Sequence, residues 1–294
     1  MGRFAGFGFS VLAAWGLLGA GCSHIPQGSL SPQPGIIRIK GSDTMRILAL
    51  RWAEEYMRTH DGILIYVEGG GTLAGIEALI KGETDLGCAS RSLDAGEIKR
   101  LWERRGTLGF KFLCAKDALS IYINAANPIR DLSLEQVASI LTGRFRDWSE
   151  VGGPSGKIAV YIREPNSGTR AFLREHVMGG IPYAPDAVTV AGTEALARRV
   201  AEDPRGISFG GIAYGPQVVH CRIDGVAPSR ESVRDGSYPI ARYLHLYAST
   251  EPEGAARDFI DWVLGEEGQR VVAETGYIPL WAAPGGREAE HGRE

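Results

Sequence analysis

From Ile36 onward, strand-length apolar runs alternate with amphipathic helical stretches, and that alternation restricts the chain to an α/β architecture. Ile36-Ile37-Arg38-Ile39 reads as a strand, and Thr44 to Arg58 as a helix with Ile47, Leu48, Trp52 and Tyr56 near one face. Ile63 to Val67 and Asp85 to Cys88 follow as strands, either side of a helix from Leu73 to Lys81 whose Ile76, Leu79 and Ile80 point inward. Asp94 stands where an N-cap belongs, ahead of a helix through Trp102. Repeated β-α-β units predict parallel strands flanked by helices, with ligands at the carboxyl ends of the strands.

A chain of 294 residues exceeds the usual size of a single core, and the pattern restarts accordingly. A second unit begins after Phe112-Leu113-Cys114, with a strand from Ala118 to Asn124 and a capped helix from Ser133 to Leu141. Ile158 to Ile162, Ile207 to Phe209 and Val218-Val219 read as further strands, and Gly192 to Ala201 as a helix. Near Tyr238-Pro239-Ile240 the pattern changes again, to a strand at Leu244 to Tyr247 and helices at Ala255 to Leu264 and Glu267 to Ala273. At the front, Arg3, the uncharged stretch Phe4 to Gly21 and the small residues before Cys22 describe a secretory signal over residues 1–22. Its end resembles the bacterial lipobox, in which Cys22 is lipidated, although Gly19 stands where that pattern prefers leucine. A plain cleaved signal and an uncleaved anchor are the alternatives, and all three export the chain. Residues 23–35 read as a flexible tether and 282–294 as a disordered tail.

Three strand-to-helix junctions share one design: Gly41-Ser42-Asp43-Thr44-Met45, Gly69-Gly70-Gly71-Thr72, and Arg163 through Ser167-Gly168-Thr169-Arg170. Glycines, hydroxyls and the positive end of a helix dipole together suit an anion, because first-turn N–H groups lack intrahelical partners. Arg163 would add formal charge and a two-pronged donor. Its bland alternative is a salt bridge to Glu164 or Asp147, and that of Thr44, Thr72, Ser167 and Thr169 is simple helix capping. A net charge of -3 argues against nucleic acid as a partner, so the anion site is local.

Other chemistries have weaker signals. Gly206-Ile207-Ser208-Phe209-Gly210 matches the nucleophile-elbow pattern of serine hydrolases, with Asp224 and His245 downstream to complete a triad, but Gly211, Gly215 and Pro216 block the helix an elbow needs. Gly152 to Ile158 misses the phosphate-binding P-loop spacing, and the six histidines have no metal-type spacing, so neither metal nor cofactor is expected. Cys88, Cys114 and Cys221 are odd in number; Cys88 and Cys114 are candidate neighbours, with buried free thiols as the simpler reading. Trp52, Trp102 and Trp262 lie on helix faces and read as core, whereas Trp148 either covers a cleft or plugs a core.

In order and spacing, Gly-Ser-Asp-Thr-Met, Glu-Gly-Gly-Gly-Thr, Ala89-Ser90-Arg91 and Arg-(x)3-Ser-Gly-Thr resemble the phosphate-specific solute-binding proteins of bacterial ABC importers, the PstS-type family. Asp147 to Gly152 and Gly276 to Leu280 also look like its recurring phrases, so the resemblance runs from about Ile36 to Leu280. It implies a two-lobed type II periplasmic-binding-protein fold, each lobe a mixed, mostly parallel sheet flanked by helices, joined by a two-strand hinge. Residues 36–115 with 241–281 would form one lobe and 116–240 the other. By the same resemblance Thr44, the Met45 N–H, Thr72, Arg163, Ser167, Gly168 and Thr169 contact phosphate, with Ser42, Ser90 and Arg91 as second-rank candidates, Arg91 suiting a hinge-side salt bridge equally. Long members of the family carry an aspartate at the position of Arg91, where it accepts the proton of hydrogen phosphate; shorter members often carry Ser-Arg. Asp43 or Glu164 would then supply the acceptor, Asp43 being preferred. The expected protein is a monomeric, lipid-anchored, extracytoplasmic carrier of inorganic phosphate for an ABC permease, with no enzymatic step. Another tetrahedral oxyanion (sulfate, molybdate or tungstate), a sensory role and a secreted hydrolase using Ser208 are the alternatives.

Overall fold

Every second residue of Gly35–Gly41 is inward, so Ile37 and Ile39 anchor the first strand, β1, in the core. The computed structural model describes residues 35–281; the expected signal at 1–22 with Cys22, the expected tether as far as residue 34 and the expected tail 282–294 lie outside the described residues. After β1 come α1 (Asp43–Thr59), β2 (Ile63–Glu68), α2 (Gly71–Lys81), β3 (Leu86–Ala89) and α3 (Ala95–Arg105), close to the expected elements. Asp94 caps α3 in a reciprocal box with Glu97, and Ser133 does the same with Gln136 for α4 (Leu134–Leu141).

Between them run β4 (Phe110–Ile123) and the short β5 (Asp131–Leu132). The remainder comprises β6 (Ala159–Arg163), α5 (Gly168–His176), β7 (Val188–Val190), α6 (Thr193–Glu202), β8 (Gly206–Gly211), β9 (Val219–Ile223), α7 (Arg230–Arg234), β10 (Ala241–Ala248), α8 (Gly254–Leu264) and α9 (Glu266–Glu274).

The strands form one mixed sheet in the order β2-β1-β3-β10-β4-β8-β6-β7, with β9 beside β4 and β5 beside β9. Pairs β1–β2, β1–β3, β6–β7 and β6–β8 are parallel, as the β-α-β pattern requires. The centre is antiparallel instead, through β3–β10, β10–β4, β4–β8 and β4–β9. The reason is β4: Phe110 to Ala118 pairs with β10, and Leu119 to Ile123 continues into pairing with β8 and β9. One continuous strand therefore joins both ends of the sheet.

Two large buried clusters lie along it. One gathers Ile37 through Ala115 and Leu244 through Tyr277, and the other Ala118 through Ile240 with Ile278. Trp52 is fully buried in the first, its indole N–H donating to the Gly268 carbonyl at 2.9 Å, and Trp148 plugs the second. Trp102 departs from expectation: it is 57% exposed, because α3 covers the sheet through Leu101 and Ile98 instead.

His245 on β10 has a titration consequence. Burial, with Lys111 and Arg242 nearby, pushes its imidazole from 6.5 down to about 4. The folded chain keeps it neutral while the unfolded chain protonates it, so its stability contribution is complete above pH 6.5 and is lost as pH falls toward 4. The full difference is about 3–4 kcal/mol, of which about 2–3 kcal/mol is lost by pH 4.5. Urea unfolding at pH 7 and pH 4.5 should show this loss, and His245→Gln should flatten it; an unchanged slope in the variant would assign the effect to another group.

Candidate anion-binding site

Three helix N-termini meet where strands end. At the first, Gly41 has φ +143°, and a side chain there would place Cβ 2.2 Å from the Cys88 carbonyl, so only glycine permits β1 to pass β3 this closely. The Ser42 N–H donates to that same carbonyl at 2.9 Å, and α1 begins at the next residue. Gly70, in the left-handed region, turns the chain into α2. Ser167 caps α5, its Oγ accepting from the Arg170 N–H at 3.3 Å. The helix-flanking residues are thus Ser42, Gly70 and Ser167, and Thr44, Thr72 and Thr169 each occupy the second helical position of their helix. None of the three threonines is a cap.

Their hydroxyls converge. Thr44 Oγ1 and Thr169 Oγ1 are hydrogen-bonded at 2.9 Å, Thr72 Oγ1 and Ser90 Oγ at 3.2 Å, and Ser90 Oγ and Thr169 Oγ1 at 3.4 Å. The Ser90 N–H also donates to Thr72 Oγ1 at 3.1 Å. All four residues are no more than 1% exposed. Gly168 lies against this cluster: a Cβ on it would fall 2.3 Å from Thr72 Oγ1 and 2.7 Å from Ser90 Oγ. Asn166 binds the glycine loop, its carbonyl accepting from the Leu73 N–H and its side-chain amide donating to the Gly70 carbonyl at 2.8 Å. Hydroxyls from four loops, at three positive helix ends and shielded from water, offer a compact oxyanion several donors at once.

Two buried arginines flank the cluster. Arg163, 2% exposed, donates from Nε to Glu164 at 3.0 Å, from one terminal nitrogen to Thr193 Oγ1 at 2.7 Å and from the other to Asp43 Oδ2 at 2.5 Å. Three of its five N–H groups are accounted for, and two remain for a ligand. The salt-bridge reading of Arg163 therefore holds for Glu164 and extends to Asp43, while Asp147 instead caps a short 3₁₀ turn. Asp43 also accepts from the Gly70 N–H at 2.9 Å, tying α1 to the second loop. Arg242 of β10 is the second cation; it donates to Thr169 Oγ1 at 3.0 Å and to the Ser90 carbonyl at 3.2 Å, and is paired with Asp117.

Several expected residues stand elsewhere or are otherwise engaged. Arg91 turns from the cluster, both terminal nitrogens donating to the Glu97 carboxylate at 2.7 Å; the reason is local, since Glu97 is held there by the α3 capping box. The Met45 N–H donates to the Ser42 carbonyl at 3.0 Å, closing the first turn of α1 tightly, and the Met45 side chain belongs to the core. Ser42 is buried but its side chain makes no capping bond. Ser208 lies inside strand β8, fully buried, with its hydroxyl donating to the Tyr161 carbonyl at 2.7 Å, which is neither an elbow nor a nucleophile–base pair. Cys88, Cys114 and Cys221 are free and buried; β10 separates the strands of the first two, and burial pushes the Cys88 thiol up to about 12. Arg242, Asp117, Asn166 and Thr193 were not anticipated from the sequence. Nothing near Arg242 and Asp117 in the chain marks them, since Thr169 and Arg242 are 73 residues apart and Asp117 and Arg242 are 125 apart, whereas Asn166 lies inside the third loop, directly before Ser167.

Known proteins resemble this chain over most of its length. Bacillus subtilis (strain 168) has a relative, phosphate-binding protein PstS, 27% identical over 285 residues, covering 92% of either chain. The phosphate-binding protein PstS of Pseudomonas aeruginosa is 29% identical over 263 residues, covering 82% of this chain and 81% of its own. Among solved structures, a Clostridium perfringens chain crystallised with bound phosphate superposes with a TM-score of 0.78 at 27% identity, covering 84% of this chain and all of its own. An ABC-type phosphate transport receptor from Vibrio cholerae gives a TM-score of 0.68 at 28% identity, over 82% of this chain and 99% of its own. A family model described as a PBP superfamily domain matches residues 28–267, and with sequence, sheet and relatives in agreement, the chain belongs to the PBP superfamily.

Proposed function

We propose that this protein captures inorganic phosphate outside the cytoplasm and delivers it to an ABC-type importer. The observation that carries this is the convergence of Thr44, Thr72 and Thr169, each at the second position of a helix, with Ser90 in one buried hydroxyl cluster beside Arg163 and Arg242. Relatives named for phosphate binding support the choice of anion. Phosphate would exchange hydroxyl–hydroxyl bonds for shorter, charge-assisted ones, taking the Thr44, Thr72, Ser90 and Thr169 hydroxyls, the first-turn N–H groups at Gly168 and Thr169, and the two remaining N–H groups of Arg163. The two buried clusters support a division into lobes 36–115 with 241–281 and 116–240, hinged through β4 and β10 and closing on the anion. Export and lipidation at Cys22 would keep a monomeric carrier beside its permease. Capture of this kind involves no covalent step.

Asp43 is the proton acceptor we assign, since its carboxylate joins α1, the glycine loop and Arg163, and Arg91 is committed to Glu97. An acceptor opposite the anion favours hydrogen phosphate over sulfate, which has no proton to share. Calorimetric titration of chain stripped of carried-over phosphate should show one-to-one phosphate binding, with sulfate at least about 100-fold weaker. Asp43→Asn should narrow that ratio. Tighter binding of sulfate or molybdate would move the assignment to another oxyanion, and no binding of any of them would end the anion-capture reading.

A further inference from the structure

Arg242 is the one cation bonded directly to the hydroxyl cluster among the described residues, and all three of its guanidinium nitrogens are engaged. Nε and one terminal nitrogen donate to Asp117 Oδ2 at 3.0 and 2.8 Å. The other terminal nitrogen donates to Thr169 Oγ1 and to the Ser90 carbonyl, and the Phe172 ring lies 5.6 Å from its centre. Asp117 is itself oriented by the Ile212 N–H, 3.0 Å from Oδ1. The side chains of the pair are 1% and 0% exposed. A buried ion pair is a weak source of stability, because well-packed apolar residues often serve as well. Its position beside Thr169 suggests a different use.

A hydroxyl has one proton and two acceptor sites. Thr169 Oγ1 accepts from a guanidinium that can only donate, so with both cluster bonds made its own proton turns into the cluster, toward either Thr44 or Ser90. Thr72 Oγ1 is treated alike by the Ser90 N–H, another donor that cannot reverse. The Ser90 carbonyl is held by the same Arg242 nitrogen that feeds Thr169. We infer that Arg242 is a positioning residue that fixes the Thr169 hydroxyl as a donor toward the bound oxyanion, with Asp117 holding the guanidinium in place; this role rests on the phosphate-capture reading. A guanidinium carries donors and no acceptor, so the bond can run only from Arg242 to Thr169. The same guanidinium joins β4, β10, the loop after β3 and the start of α5, which links the crossing strands to the site.

The test is a double-mutant cycle read as phosphate affinity. Arg242→Gln alone leaves Asp117 buried and unpaired, so it is combined with Asp117→Asn, which replaces the ion pair by neutral groups of similar shape. Arg242→Lys, which keeps a cation for Asp117 but loses the planar fork, is the second arm. Each is measured in the parent chain and in a Thr169→Val background, with the melting temperature of ligand-free protein recorded alongside. The neutral pair should weaken phosphate binding about tenfold or more in the parent chain, and less than about threefold once Thr169→Val is present. The lysine variant should show the same dependence on Thr169. A purely structural role would lower the melting temperature and weaken binding equally in both backgrounds, and that outcome overturns the inference while leaving phosphate capture intact. A parent chain that binds no phosphate overturns both.

Discussion

Arg163→Ala is expected to lower phosphate affinity by about 10²–10⁴-fold, the largest effect of any single substitution at the site. Two charge-assisted hydrogen bonds are lost, each worth about 1.5–3 kcal/mol. The loss is compounded because Asp43 and Glu164, both paired to Arg163, are left as carboxylates facing an anion. Arg163→Lys should recover part of the affinity, since the charge returns without the planar fork. Calorimetry, with the phosphate-dependent rise in melting temperature as a second readout, separates lost binding from lost folding. Folding should suffer less than binding, because the Asp43 and Glu164 side chains are 16% and 28% exposed and water can reach them. If Arg163→Ala binds within about tenfold of the parent chain, Arg163 does not hold the anion and the site assigned to it is wrong.

Gly168→Ala should be nearly as damaging for a steric reason. The added Cβ would fall 2.3 Å from Thr72 Oγ1 and 2.8 Å from Thr72 Cβ, distances that side chains do not tolerate. Thr72 is β-branched, on the first turn of α2 and bonded to Ser90, so it has little freedom to step aside. The N-termini of α2 and α5 must therefore separate, and the hydroxyl cluster opens with them. We expect about 1–3 kcal/mol of lost stability, typical of overpacking. The accompanying loss of phosphate affinity should be about 10–100-fold, because the anion would meet donors spread too far apart. Parent-like affinity in this variant would show that close contact between α2 and α5 is not needed for capture.

Much of the site can be read from short stretches of the chain. Thr44, Thr72 and Thr169 were recognisable because each follows a glycine- or serine-bearing turn into an amphipathic helix, a pattern spanning only a few residues. The caps at Asp94 and Ser133 were legible for the same reason, and both form the expected reciprocal boxes. That locality also explains the misreadings. Arg91 follows Ser90 in the chain and suited ligand contact or a salt bridge equally, and Glu97, six residues on and fixed by its own cap, claims both of its terminal nitrogens. Trp102 sits on a helix whose inward face is set by Leu101, and one residue's rotation turns the indole to solvent.

By itself, the amino-acid sequence determined the alternation of strands and helices, the placement of three helix starts at strand ends, and the choice of hydroxyl residues at those starts. Backbone sterics and periodicity act over three or four residues, and these features lie within that range. Only the tertiary structure decided that β4 runs unbroken between the two buried clusters, that Asp43 holds Arg163, and that Arg242 and Asp117 complete the cluster. Those contacts join residues 73 to 125 positions apart. No local pattern encodes them, because burial makes them: once the sheet closes over these side chains, each charge and hydroxyl must take whichever partner the packed strands bring within reach.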